Sequence, residues 1–349
     1  MRAVRSTRPH AVDEVIDRYF AERIARAEQL GTSYADVWRT AADAANGGKR
    51  LRPQLLLLAH EHLGGQDPAA ARAAAAAFEV LHTALLLHDD VLDGDLIRRG
   101  RPNLAGRFAA DAVEDGRPVG TATGWGTASA LLAGDVLISG VHALLSRIEH
   151  PARTALHALV DDCLAVTAAG EHADVGLALG VISADEPAIL RMMEQKTACY
   201  SFAAPLQAGA MLAGAATQTL ESLAGIGADL GLLYQMRDDV IGVFGAEDRS
   251  GKTVLGDLRE GKRTLLVAFA EGSAEWRAVQ HLFGRASLEE SDAERLRTAL
   301  VTSGAAERMQ ATVSAHRDRV RDAIADSELP GPLRDELTRI AAECAERDA

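Results

Sequence analysis

Aromatic residues are scarce in this chain, at 4% of 349. Strands lean on aromatic and β-branched side chains to fill a pleated surface. Their scarcity, beside many alanines and leucines, turns the expectation towards helix. Cysteine is scarcer still. Cys163, Cys199 and Cys344 are scattered and odd in number. They form neither a zinc spacing nor a disulfide framework, which points to a reducing cytoplasm. A basic excess is missing as well. The net charge of -13 argues against nucleic acid as the main partner, because phosphate-binding surfaces of that kind carry a basic footprint. There is no convincing alternation of period two and no fixed repeat. The N-terminus lacks the apolar core of a signal peptide, and no apolar run reads as long enough to span a bilayer, so the chain is expected not to span a membrane.

What is present reads as helix after helix. Apolar periodicity and stop signals predict helices over 12–30, 52–63, 68–93, 128–148, 151–179, 186–212 and 217–244, with shorter amphipathic helices over 288–347. Pro53 sits near a first turn, where proline is tolerated. The stretches 111–127 and 245–261, rich in glycine, read as loops. The long helices are mostly apolar all round, the mark of helices in the centre of a large bundle. No linker divides the sequence, so residues 1–349 read as one all-α domain.

Two acidic clusters stand out. In His88-Asp89-Asp90-Val91-Leu92-Asp93, the residues Asp89 and Asp93 lie four apart and share one helix face, with Asp90 beside them. A solvated acidic helix end is the plainer reading of this triplet alone. Its flanks point elsewhere. His82, Leu86, Asp89 and Asp93 form one stripe, and Arg98 and Arg99 follow where the chain can fold back on the acids. Arginine suits bidentate recognition of phosphate. Hard oxygen ligands suit Mg²⁺, which is commonly held by one or two carboxylates together with substrate phosphates. The second cluster is Gln235-Met236-Arg237-Asp238-Asp239, with Lys252 and Lys262 after it. Lys196 and Thr197 sit within a separate helix, where the lysine could reach inward to phosphate. Gly47-Gly48-Lys49-Arg50-Leu51-Arg52-Pro53 is a basic, glycine-led helix start of the kind that attracts anions.

Taken together and in this order, these fragments resemble the trans-isoprenyl diphosphate synthases, or polyprenyl synthetases. Besides the stretches above, the resemblance is carried by Gly100-Arg101-Pro102, Ala133-Gly134-Asp135, Gly251-Lys252-Thr253 and Glu260-Gly261-Lys262-Arg263-Thr264, and it runs from about 47 to about 264. It implies an all-α bundle around a deep central cavity, usually a homodimer. It also implies head-to-tail 1'-4 condensation of isopentenyl diphosphate with an allylic diphosphate. By the same resemblance, Asp89, Asp93 and Asp238 are the ligands of several Mg²⁺ ions, supported by Asp90 and Asp239. Arg98, Lys196, Thr197, Gln235, Lys252 and Lys262 hold the allylic diphosphate, and Lys49, Arg52, His82 and Arg99 hold isopentenyl diphosphate. Gly242 stands where many relatives carry a third aspartate, which implies weaker Mg²⁺ binding.

In this family, bulky residues just before the first cluster stop the growing product. Here those positions are Ala84 and Leu85, a small and a medium residue. They imply a C20 product, geranylgeranyl diphosphate, with C15 and C25 or longer as alternatives. A terpene cyclase is the competing reading. It would have no use for a second diphosphate site, whereas Lys49, Arg52, His82 and Arg99 are all present.

Overall fold

The computed structural model describes residues 8–245, 256–285 and 287–346, with side chains from 11 onward. It is helical almost throughout. Among the described residues the sole strands are β1 (Ile97–Arg98) and β2 (Arg101–Pro102), an antiparallel pair. The fold class is therefore all-α, as the composition predicts. The chain divides into two compact units, Met1–Val160 with Pro205–Ala216, and Asp161–Ala204 with Thr217–Ala349. Each is described by itself.

The first unit holds α1 (Arg8–Glu28), α2 (Thr32–Ala45), α3 (Leu51–His62), α4 (Pro68–Asp93), α5 (Leu104–Glu114) and α6 (Val119–Ser146). Helix α4 matches the predicted bounds because its signals are strong. The Asp67 carboxylate caps it by accepting from the N–H groups of Ala69 and Ala70 at 3.1 and 2.9 Å, and Pro68 opens its first turn. Gly94, in the left-handed region at φ 71°, ends it. Its alanine run is inside, with Ala74 to Ala77 all fully buried.

Two expectations fail in this unit. The 111–127 stretch is not a loop: α5 and α6 run into it from both sides and leave only a four-residue turn over 115–118. The glycine at 126 is there for packing. A methyl group on it would stand 2.2 Å from the Ala105 carbonyl oxygen, so only glycine lets α6 lie this close to α5. The statement about apolar runs fails too. Both α4 and α6 are long and apolar enough to cross a membrane. Helix α4 is mostly buried within its unit. Helix α6 is only half buried and shows Val119, Trp125, Leu131 and Leu132 on its surface, which the expectation of a central helix did not foresee.

Helix α7 (Arg153–Ala178) spans the division at Val160. The second unit contains α8 (Glu186–Met193), a π-helical segment over Glu194–Ala203 and α10 (Thr217–Phe244), while α9 (Ala204–Leu212), which continues the π segment in sequence, belongs to the first. The later helices of the second unit are α11 (Gly256–Glu260), α12 (Leu265–Ala270), α13 (Ala274–Val279), α14 (Glu290–Thr302), α15 (Ala305–Asp326) and α16 (Gly331–Glu346). The helix predicted over 186–212 is thus interrupted by a wider π turn, and Lys196 and Thr197 lie on it. Such turns gather at functional sites. The tail of the 245–261 loop is helical, as α11.

Candidate active site

The first acidic cluster ends α4. Beyond Gly94 the chain reverses through the β1–β2 hairpin, whose two turn residues, Arg99 and Gly100, both have positive φ, at 55° and 71°. That conformation matches the strand twist and makes the tightest hairpin. It swings Arg98 back over the acids, as the sequence order suggested. The Arg98 guanidinium donates from Nε to Asp90 Oδ1 at 2.6 Å and from Nη2 to Asp89 Oδ2 at 2.8 Å. Asp90 is almost wholly buried. Burial pushes its carboxyl up to about 6, against the pull of Arg98. Asp93 lies half-buried one turn on from Asp89.

The basic residues expected to hold a second diphosphate converge here. Burial holds the His82 imidazole well below its usual range, and Arg52, Arg99 and Arg98 add to the effect in that order. His82 is therefore a neutral N–H donor at pH 7 set among three permanent cations. The 47–53 turn joins the same place. A methyl group on Gly48 would meet the Arg99 guanidinium at 3.5 Å, and Lys49 stands exposed beside it. The described non-glycine residues with positive φ are Arg50 and Arg99, one on each side of this cluster. Such residues concentrate where geometry serves a site.

Arg50 has a role that sequence reasoning missed. It points inward, donating to Glu79 Oε1 and the Ala45 carbonyl oxygen at 2.8 Å and to Asp13 Oδ1 at 2.9 Å. It fastens the basic turn to α4 and α1. Its position in a run of exposed basic residues hid this, although Glu79 inside an apolar helix face was a usable signal. Asn103 was also missed. It donates to the Asp95 carbonyl oxygen at 2.7 Å and caps α5 at Gly106 N–H, at 2.8 Å, so it ties the hairpin to the next helix. Asp135 approaches His88 Nε2 at 3.4 Å, which places the Ala133-Gly134-Asp135 fragment against His88.

The second cluster lies on α10, in the other unit. Thr197 Oγ1 donates to Gln235 Oε1 at 2.9 Å, and Gln235 Nε2 donates to Asp239 Oδ1 at 2.8 Å. Burial pushes the Asp239 carboxyl well above the usual carboxylate range. The Gln235 hydrogen bond opposes the shift, while Asp257 and Asp238 reinforce it. Lys196 is held by two acids of α7, Asp174 at 2.6 Å and Glu171 at 3.0 Å. It is part of an acidic pocket within its own unit, a partnership its apolar helix context did not reveal. Lys262 stands 3.2 Å from Glu260. Lys252 lies outside the described residues. Ala84 is fully buried and Leu85 half-buried on α4.

The donor set is entirely oxygen. Among the described residues, no three acid, imidazole or thiol groups form a metal site by themselves. Carboxylate oxygens of this kind fit Mg²⁺, which commonly takes one or two carboxylates and completes its shell with water and phosphate oxygens.

The chain is similar to known proteins along most of its length. It is 37% identical to a short chain isoprenyl diphosphate synthase of Methanothermobacter thermautotrophicus over 64% of the chain. The match spans 63% of that relative, a little under two thirds. Identity to a geranylgeranyl diphosphate synthase of Methanosarcina mazei is 35%, over 71% of the chain and 70% of the relative. A crystal structure of geranylgeranyl pyrophosphate synthase from Corynebacterium glutamicum, complexed with isoprenyl diphosphate and magnesium, superimposes with a TM-score of 0.90 at 25% identity. It covers 97% of this chain and 98% of that one. The polyprenyl synthetase family model matches residues 37–300, a span that takes in the basic turn, the hairpin and both acidic clusters, and the chain belongs to that family.

Proposed function

We propose that this prenyl diphosphate synthase performs Mg²⁺-dependent head-to-tail condensation of isopentenyl diphosphate with an allylic diphosphate and releases geranylgeranyl diphosphate. The observation that carries the reading is the convergence of Arg52, His82, Arg98 and Arg99 beside Asp89. A cation cluster next to an acidic one suits a second diphosphate beside a metal-bound first, and a cyclase needs only the first.

Asp89, Asp93 and Asp238 would hold Mg²⁺, with Asp90 and Asp239 in support. The metal would stabilise negative charge on the departing diphosphate. Arg98 orients the first cluster by its two hydrogen bonds. Arg98, Lys196, Thr197, Gln235, Lys252 and Lys262 are assigned to the allylic diphosphate, and Lys49, Arg52, His82 and Arg99 to isopentenyl diphosphate. His82, being neutral, would donate one N–H without competing with the arginines for charge. No side chain is assigned as general base; the released diphosphate takes the proton.

The two units act as one catalytic domain in this reading, and the protein works as a homodimer. Exposed Trp125 and Leu132, seven apart and so on one face of α6, support the second point, because exposed apolar surface marks an interaction site. Leu132→Glu should then give monomers in sedimentation. Three cysteines scattered along the sequence, with no disulfide-framework spacing, suit the cytoplasm.

The deciding experiment incubates the pure protein with Mg²⁺, isopentenyl diphosphate and, separately, dimethylallyl, geranyl and farnesyl diphosphates. Products are read by mass spectrometry after dephosphorylation. A linear C20 alcohol supports the reading. C15 or C25 would keep the enzyme class and discard the chain-length argument from Ala84 and Leu85. A cyclic product from a prenyl diphosphate alone would move the protein to the cyclases. Ala84→Phe should shorten the product.

A further inference from the structure

The turn over 47–50 is bent in a way that one of its residues resists. Gly47 and Gly48 have φ of 89° and 83°, which glycine adopts freely. Arg50 stands at 51°, in the left-handed region that side chains disfavour. Lys49 lies between, and Arg52 follows in the first turn of α3. Both sides of the bend are tied down. Gln54 Nε2 donates to the Lys49 carbonyl oxygen at 2.6 Å. The Arg50 guanidinium turns inward to Glu79, the two side chains being 8% and 7% exposed, and it also donates to Asp13 and the Ala45 carbonyl. A buried ion pair adds little stability over a well-packed apolar pair of similar volume. What this pair does fix is one backbone conformation, at the residue flanked by Lys49 and Arg52. Arg52 and Arg99 both act on His82, and Gly48 lies against the Arg99 guanidinium. Arg50 is thus anchored behind the cation cluster, while its neighbours in sequence belong to it.

We propose that Arg50 and Glu79 are positioning residues for isopentenyl diphosphate: their buried pair holds the 47–52 backbone in the form that presents Lys49 and Arg52 to the diphosphate. The inference rests on the assignment of Lys49 and Arg52 to that substrate. Without the pair, residue 50 would spend most of its time outside the left-handed region. Apparent affinity then falls with the fraction of molecules still in the competent form. The effect should be confined to one substrate and one constant. The allylic diphosphate departs, whereas the diphosphate of isopentenyl diphosphate stays attached and keeps its charge throughout. Contacts to it therefore bind the ground state and the transition state alike, and losing them raises KM while sparing kcat.

The test is steady-state kinetics of the full chain with Mg²⁺, varying isopentenyl and geranyl diphosphates in turn. Denaturant titration checks that each variant is folded. Arg50→Met/Glu79→Leu removes the pair and leaves no buried charge unpaired. It should raise KM for isopentenyl diphosphate about tenfold, the penalty for a left-handed residue no longer held. KM for geranyl diphosphate and kcat should stay within about twofold of wild type. Arg50→Gly/Glu79→Leu should recover part of the loss, because glycine takes a positive φ without being held there. A wild-type KM for isopentenyl diphosphate in the first double variant, or no recovery in the second, would overturn the proposal. So would a rise in both KM values or a fall in kcat, which would leave the pair as a support of the fold. A wild-type KM in Arg52→Ala, or a wild-type protein with no turnover, would overturn it together with the substrate assignment beneath it.

Discussion

The two acidic clusters are held in opposite ways. Asp89 and Asp90 meet a guanidinium, a permanent charge with two directed hydrogen bonds. Asp239 meets the neutral amide of Gln235, which leans in turn on Thr197, and Lys262 is the weakest of the influences on it. Burial raises both buried carboxyls, Asp90 to about 6 with its cation in place and Asp239 well above the usual carboxylate range. The first cluster thus carries its own countercharge. The second is arranged by dipoles, and a divalent cation has more to offer it. The same division extends to the scaffold. Arg50 and Glu79 form a buried ion pair in the first unit, and the Thr197–Gln235–Asp239 chain has no comparable pair within it.

That contrast can be broken most severely at Arg98. Arg98→Ala strips the partner from a buried carboxylate, which should cost about 3–5 kcal/mol of stability. Turnover should fall by about 10²–10³, the usual loss when one preorganised charge stabiliser is removed. Thermal unfolding and steady-state kinetics check the two parts. Arg98→Lys should recover little, because an ammonium cannot span two carboxylates as a planar fork does.

Arg50→Ala should destabilise by a similar amount, about 3–5 kcal/mol. The double variant Arg50→Met/Glu79→Leu should be far milder, because it leaves no buried charge unpaired. Denaturant titration distinguishes the two. A costly double variant would mean that Arg50 serves chiefly through Asp13 and the Ala45 carbonyl.

Next comes pH. The folded His82 has its pKa lowered by burial and by three arginines, so the unfolded chain takes up the proton first as pH falls. This histidine leaves stability unaffected above about 6.5 and erodes it below that, by at most about 1.4 kcal/mol per pH unit. His60 and His316 shift in the same direction, so the His82→Asn variant should flatten the slope without abolishing it.

The mildest expected effect tests the neutral side of the contrast. Thr197→Val removes one donor from the Gln235 chain and should cost about 1 kcal/mol. A loss of several kcal/mol would show that the second cluster is as dependent on its partner as the first.

The parts of this architecture visible in the sequence were those with local signals. Helix α10 begins and ends where the pattern of apolar residues predicted, and α4 does so because Asp67, Pro68 and Gly94 punctuate it. The stripe from His82 to Asp93 and the return of Arg98 were also legible, since helix periodicity and one short hairpin set them. What stayed hidden depended on distant partners. Glycines over 116–126 signal a loop until Ala105 is known to press against Gly126. The two acids that hold Lys196, Glu171 and Asp174, lie on another helix and could not be read from its own stretch.

The π-helical segment between α8 and α9 has a consequence for how this chain can vary by insertion and deletion. An α-helix turns about 100° per residue, and a π turn absorbs extra residues without breaking the rod. Removing one residue between 198 and 203 would therefore tighten the segment towards an ordinary helix and take up much of the loss, so that Lys196 and Thr197 largely keep their faces. Removing one from the α-helical stretch just before Gln235 would meet no such slack, and Gln235 would turn by about 100° against the residues before it. The π segment is thus the stretch of this site that tolerates a change of length.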